Sequence, residues 1–208
     1  VILTGDHSLR EQLEVIHQLP ARLPPFTAPQ RSEAETEEEV PLPRPQDLLF
    51  DNGFGGFTPD GREYVIYLEE GQHTPAPWSN VIANADFGFL VTEAGMSFSW
   101  AKNSGENRLA PWSNDSVSDT PGEVVYLRDE ETAEVWSSTP APAPAQGPYK
   151  IVHGAGYTRY EHNSHGLKQR LLVYAAGDDP LKVVKLRLEN ARQHVRRITV
   201  TYYAEWVL

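Results

Sequence analysis

The apolar positions of this chain fall into one short helical pattern followed by many short alternating ones. Over residues 7–19, Leu9, Leu13, Ile16 and Leu19 recur at helical spacing, with Asp6 or Ser8 available as a cap and Pro20 as a stop. This predicts one N-terminal amphipathic helix over residues 1–19. From residue 20 to 47 prolines and acids take over, including Glu33, Glu35, Glu37, Glu38 and Glu39. Such a stretch has little apolar surface to bury and is expected to be a linker; a solvated tether and an acidic docking motif are its two readings. After residue 48 the period changes to two, and Gly, Pro, Asn and Asp break the pattern repeatedly. Strands are predicted near residues 63–68, 87–93, 97–102, 123–128, 149–153, 157–162, 167–174, 181–188 and 196–207. Many strands with no helix between them predict a mainly β domain over residues 48–208, an antiparallel sandwich or barrel.

Two of these strands carry more detail. In residues 181–188 one face is mainly apolar (Lys182, Val184, Leu186, Leu188), while the other begins apolar and ends basic (Leu181, Val183, Lys185, Arg187). The last stretch is apolar on both faces near its end, which predicts that this end lies under a further layer. The lack of an initial methionine and the end inside an apolar pattern suggest a piece of a longer polypeptide, with the sandwich truncated at its C-terminal end.

Composition narrows the function. The 208 residues are 39% hydrophobic, adequate for a core, and carry a formal net charge of -11. That charge repels phosphates and anionic headgroups, so neither nucleic acid nor a membrane surface is an expected partner of this segment. No window approaches the run of about 18 apolar residues that a membrane span needs. With no cysteine, disulfides and thiolate metal sites drop out.

The tetrapeptide Pro-Trp-Ser-Asn occurs twice, at residues 77–80 and 111–114, on either side of a stretch that reads as a β-hairpin. Proline is not expected to continue a central ladder, so both copies should lie at strand ends, where loops build sites. The second closes a block, residues 103–115, dense in amides, hydroxyls and charge. Asn107, Arg108, Trp112, Asn114 and Asp115 are the residue types that hydrogen-bond sugar hydroxyls and stack on sugar faces. The competing reading is that Trp78 and Trp112 fill core space while the Asn and Ser side chains satisfy loop backbone.

Other motifs carry less. Residues 50–57 are glycine-rich but lack the G-x-G-x-x-G spacing and a following helix, so a turn with close backbone packing is expected rather than a phosphate cradle. Thr58, Pro59, Asp60 and Gly61 have the order of a tight turn. His153, His162 and His165 invite a metal, yet His165 precedes Gly166 in an apparent turn, and polar strand or turn roles are expected. Asp86, Glu93, Asp115, Asp119, Glu161 and Glu205 could supply acid and base for glycoside hydrolysis, but turn capping and solvation are the expected roles.

Several ordered blocks carry a family resemblance: residues 50–57, 61–66, 74–115, 126–129, 153–158 and 203–206. Together they resemble the N-terminal β-sandwich of the inverting glycoside phosphorylases, glycoside hydrolase family 94 (formerly glycosyltransferase family 36). The similarity is greatest to the phosphorylase-like C-terminal region of the cyclic β-1,2-glucan synthases. The resemblance implies a galactose mutarotase-like supersandwich followed by a helical linker and an (α/α)6 barrel that holds the catalytic aspartate. Inorganic phosphate would be the co-substrate and nucleophile, with no further cofactor. It also implies that this segment alone is non-catalytic, that β-glucan and the barrel are its partners, with a homodimer contact among the options, and that it sits on the cytoplasmic side as part of an inner-membrane protein. An autonomous carbohydrate-binding module and a structural or dimerisation scaffold are the alternatives. One departure from the family pattern is Gly105, where relatives often carry a larger, basic residue, so no direct polar contact is expected from that position.

Overall fold

The computed structural model describes Ser8 and residues 40–115 and 117–207. The predicted helix and the first part of the linker lie outside the described residues. Within them the chain forms twelve strands: β1 (Gly55–Phe57), β2 (Glu63–Leu68), β3 (Ser79–Ala83), β4 (Phe87–Thr92), β5 (Ser97–Ala101), β6 (Glu123–Asp129), β7 (Val135–Ser137), β8 (Tyr149–Gly154), β9 (Tyr157–Ser164), β10 (Leu167–Ala175), β11 (Lys182–Asn190) and β12 (Ile198–Ala204). Every pairing is antiparallel. The strands make a six-stranded sheet ordered β1-β2-β8-β9-β10-β11 and two three-stranded sheets, β12-β6-β7 and β3-β4-β5.

Alternation sets which face is buried. In β9, Thr158, Tyr160, His162 and Ser164 point inward while Tyr157, Arg159, Glu161 and Asn163 point outward. The inward face meets β3-β4-β5 in one core that includes Ile66, Ile82, Phe89, Ile151, Tyr160 and Leu171. A second core, Leu127, Trp136, Ala145 and Leu167, ties the β12-β6-β7 sheet to the same face. Each fully buried Ile or Phe here contributes on the order of 1.5–3 kcal/mol.

Turns behave as their residues dictate. Gly61 adopts φ 69° and its N–H donates to the Thr58 carbonyl at 2.8 Å, closing the Pro-Asp-Gly turn. His165 and Gly166 both take positive φ between β9 and β10, as a two-residue hairpin turn requires. The glycine-rich segment pairs with β2 as β1, and a Cβ at Gly55 would fall 2.0 Å from the Val65 carbonyl oxygen. Close backbone packing, as expected, is its role.

Three strands, β1, β3 and β7, fall where none was predicted. β1 and β7 have only three residues each, and β3 starts inside the first Pro-Trp-Ser-Asn copy, whose proline reads as loop. At the other end, β12 stops at Ala204, because its partner β6 begins at Glu123 and the Glu205 N–H turns to the Gly122 carbonyl. The layer expected over the last stretch is not supplied by the described residues: Val200, Tyr202, Tyr203, Trp206 and Val207 are all exposed.

Candidate functional site

The loop after β5 is held by its own backbone. Ala101 N–H donates to Asn107 O (3.0 Å), Asn107 N–H to Asn103 O (2.9 Å) and Leu109 N–H to Ser99 O (2.8 Å). The Asn103 side-chain oxygen takes the N–H groups of Gly105 and Glu106, so this amide is spent on the turn. Arg108 then pairs across from Trp100, and Leu109 packs against the core.

Trp112 lies stacked on Phe98, ring centroids 5.1 Å apart and 5° from parallel, and Phe98 in turn contacts Trp100 at 5.1 Å. The Arg108 guanidinium sits 5.9 Å from the Trp112 ring, while its Nε donates to Ser104 O at 3.2 Å. Trp112 is 37% exposed. The Asn107 and Asn114 amides, the terminal nitrogens of Arg108 and the Trp112 indole N–H make no hydrogen bond among the described residues. Asp115 differs: its carboxylate accepts from Val117 N, Ser118 N and Ser118 Oγ, and these bonds hold its carboxyl below the usual value of 3.8. The structure therefore brings Arg108 and Trp112 together on the outer side of β3-β4-β5, with Asn107 beside Arg108, and gives Asp115 to a turn.

The first Pro-Trp-Ser-Asn copy is built into the fold. Trp78 packs on the core and meets Phe54 and Tyr64 edge-on at 5.9 and 5.8 Å. The Asn80 amide donates to Gly154 O, Tyr157 O and Thr158 Oγ1, tying β3 to the β8–β9 turn. For this copy the core-filling reading holds.

The histidines and most of the carboxylates singled out above also find structural partners. His162 is fully buried, stacked on Tyr149 at 3.8 Å, with Nδ1 against Pro148 O. His165 stacks on Trp136, and His153 bridges Trp78 O and Thr158 Oγ1. No group of three His, Asp or Glu side chains converges as a metal site among the described residues. Glu161 engages Lys150 and Arg159, Asp86 faces Lys102, and Glu93 accepts from Thr74 Oγ1 and Trp78 N.

Sequence reasoning missed a second feature. A cleft of about 320 Å³ opens between the sheets, lined by Phe87, Ser99, Leu109, Glu123, Lys182, Val184, Tyr202 and Trp206. At its floor Glu123 pairs with Lys182, and both charges are satisfied by neighbouring hydroxyls. The available signal was a single lysine heading the apolar face of β11, Lys182 ahead of Val184, Leu186 and Leu188.

The Glycosyl hydrolase 94, supersandwich domain family matches residues 62–208. The chain is 40% identical over 163 residues to the cyclic beta-(1,2)-glucan synthase NdvB of Rhizobium meliloti, covering 78% of this chain and 6% of that protein. It is 26% identical over 156 residues to the N,N'-diacetylchitobiose phosphorylases of Vibrio proteolyticus and Vibrio furnissii, covering 74% of this chain and 19% of each. The chain thus spans a small fraction of the relatives it matches. Among the described residues no helix is long and apolar enough to cross a membrane. The all-antiparallel strand architecture and the match over most of its length place this chain in the glycosyl hydrolase 94 family, as its supersandwich domain.

Proposed function

We propose that this domain is a non-catalytic wall of the glucan site in a larger carbohydrate-processing enzyme of the glucan synthase or glycoside phosphorylase type. The observation that carries the reading is the half-exposed Trp112 beside Arg108, with the polar ends of Arg108, Asn107 and Asn114 uncommitted. A flat indole with donors and acceptors near its rim suits the C–H face and hydroxyl edge of a glucose unit. The larger chain would supply an (α/α)6 barrel with the catalytic acid, and inorganic phosphate as co-substrate would supply the nucleophile, so no carboxylate here needs a catalytic role. The same reading puts the domain on the cytoplasmic side of an inner-membrane protein.

Calorimetric titration of the chain with β-1,2-glucan oligosaccharides tests it. Weak binding, lost in Trp112→Ala and reduced in Arg108→Ala while both variants stay folded, is the expected result. A folded chain that binds no glucan sinks the claim for this surface. Substantial phosphate-dependent turnover by the chain alone sinks the non-catalytic claim.

A further inference from the structure

The outer face of the six-stranded sheet carries a charge imbalance. Lys150 on β8, Arg159 on β9, Lys168 and Arg170 on β10, and Lys185 and Arg187 on β11 all turn away from the core, against the carboxylates of Glu63, Glu161 and Glu189. This face is net positive in a chain whose formal net charge is -11. Its carboxylates are already engaged. Glu161 lies 2.5 Å from Lys150 and 2.8 Å from Arg159, which leaves Arg170 at 3.9 Å, and Glu189 is held by Lys168 at 2.7 Å.

Arg170 stands directly opposite Arg187 in the β10–β11 register, with Lys185 two positions along the same face. Lys185 and Arg187 are exposed and stand within ion-pair distance of no described carboxylate, although Arg187 lies near enough to Glu189, which Lys168 already holds, to help lower its carboxyl. Like charges directly opposed across strands destabilise a sheet. This corner is therefore short of an anion.

Residues 40–44 lead toward it. The Arg44 guanidinium lies 5.6 Å from the Tyr67 ring on β2, the Tyr67 hydroxyl donates to Leu42 O at 2.8 Å, and the Asn163 amide on β9 donates to Val40 O at 2.9 Å. Followed from 44 back to 40, the chain crosses the outer face from β2 to β9, and Asn163 pairs in register with Lys168 of β10. The seven residues before Val40 include Glu33, Glu35, Glu37, Glu38 and Glu39. Two further strands lie within about 10 Å of β9, and seven extended residues reach at most about 25 Å.

We propose that the corner formed by Arg170, Lys185 and Arg187 is a docking surface for the acidic stretch at residues 33–39 of the same chain. The glutamates neutralise the opposed arginines, whose planar forks suit carboxylates. The attraction is electrostatic and exposed, so salt weakens it.

Zero-length carbodiimide cross-linking of the whole chain, read by mass spectrometry, tests this. The expected products join Lys168 or Lys185 to Glu35, Glu37, Glu38 or Glu39, and in a mixture of isotopically light and heavy chains they form within one molecule. Their yield falls about threefold or more at high salt and in the double variant Arg170→Gln with Arg187→Gln, which keeps both lysines. Because both arginines are exposed, that variant is expected to melt as the parent does. Absence of these products overturns the proposal, as does a predominance of mixed light–heavy products, which would assign the surface to a second copy. A yield indifferent to salt and to the arginine variant overturns it as well, since tethering alone would then explain the contact.

Discussion

Glu123 and Lys182 form an ion pair between the sheets, from strands 59 positions apart, with their side chains 7% and 11% exposed. Ser99 and Tyr202 also donate to the Glu123 carboxylate, each at 2.6 Å, while Lys182 donates to Ser97 at 2.7 Å and lies 4.4 Å from the Phe89 ring centroid. One bond network thus links β11 of the large sheet to β5, β6 and β12. Burial alone raises the Glu123 carboxyl, but the charge of Lys182 and the three donors outweigh it and hold the group below its ordinary 4.5. For Lys182 burial wins and pushes the ammonium down, with Glu123 opposing only in part. The pair therefore favours the carboxylate and costs the ammonium.

Removing one partner should hurt more than removing both. Lys182→Met leaves a buried carboxylate without its cation and is expected to cost about 3 kcal/mol, whereas Lys182→Met combined with Glu123→Leu should recover most of that loss. Urea denaturation of the two single variants and the double variant checks it, and simple additivity of the singles would show the two groups to be uncoupled. Because the folded value of Glu123 is depressed, its contribution is present above about pH 4.5 and disappears as pH falls through the lower folded value.

Glu93 runs in the opposite sense. Burial raises its carboxyl, the bonds from Thr74 and Trp78 pull it back only in part, and the nearby Asp119 adds to the rise. With the folded value above the unfolded one, the native state takes up a proton that the unfolded chain does not, so this site penalises the fold at neutral pH and the penalty fades as pH falls toward 4.5. Glu93→Gln can still accept from the Trp78 N–H and donate to Thr74 Oγ1. The variant is expected to melt at or above the parent temperature at pH 7, with the difference shrinking by pH 5; a constant difference across that range would show that Glu93 does not titrate there.

His162 supplies the acid limit. Burial depresses its pKa to about 4, against 6.5 when free, and the bond to Pro148 O offsets this only in part. The unfolded chain gains a proton first, so stability present above pH 6.5 is lost as pH falls to about 4, on the order of 3 kcal/mol from this group. Proton NMR of the ring reads it directly: His162 should keep neutral-imidazole shifts at pH 5, and a midpoint near 6.5 would refute the assignment.

What could be read beforehand depended on how far apart the interacting residues lie. Strands β9 and β10 alternate so strictly that their buried faces are evident residue by residue. β3 was hidden because Pro77 and Trp78 read as loop, and only its pairing with β4 shows that Ser79 already belongs to a strand. The Arg108–Trp112 pairing is local, four positions apart, and was legible as a block of suitable residue types. The Glu123–Lys182 pair was not: Lys182 at the head of the apolar face of β11 hints at a buried cation, but nothing local names a glutamate 59 positions away as its partner. Asp115 suited both a sugar contact and a turn cap by residue type, and only the folded backbone shows its carboxylate accepting from Ser118 and Val117 in the turn.

The two Pro-Trp-Ser-Asn copies should separate by experiment into one that holds the fold and one that does not. Trp78 packs on the main core, donates its backbone N–H to Glu93, and offers its carbonyl to His153 and to the Glu93 N–H. Removing its indole leaves a void beside Phe54 and Tyr64, so Trp78→Ala is expected to cost about 3 kcal/mol. Trp112 loses chiefly its stack on Phe98, worth about 1 kcal/mol, and its half-exposed ring leaves no closed cavity. Thermal melts of the two variants should therefore differ by several degrees, with Trp112→Ala near the parent. If instead Trp112→Ala proves the more destabilising, the ring is a structural plug over Phe98, and a loss of glucan binding in that variant could not be assigned to a sugar contact.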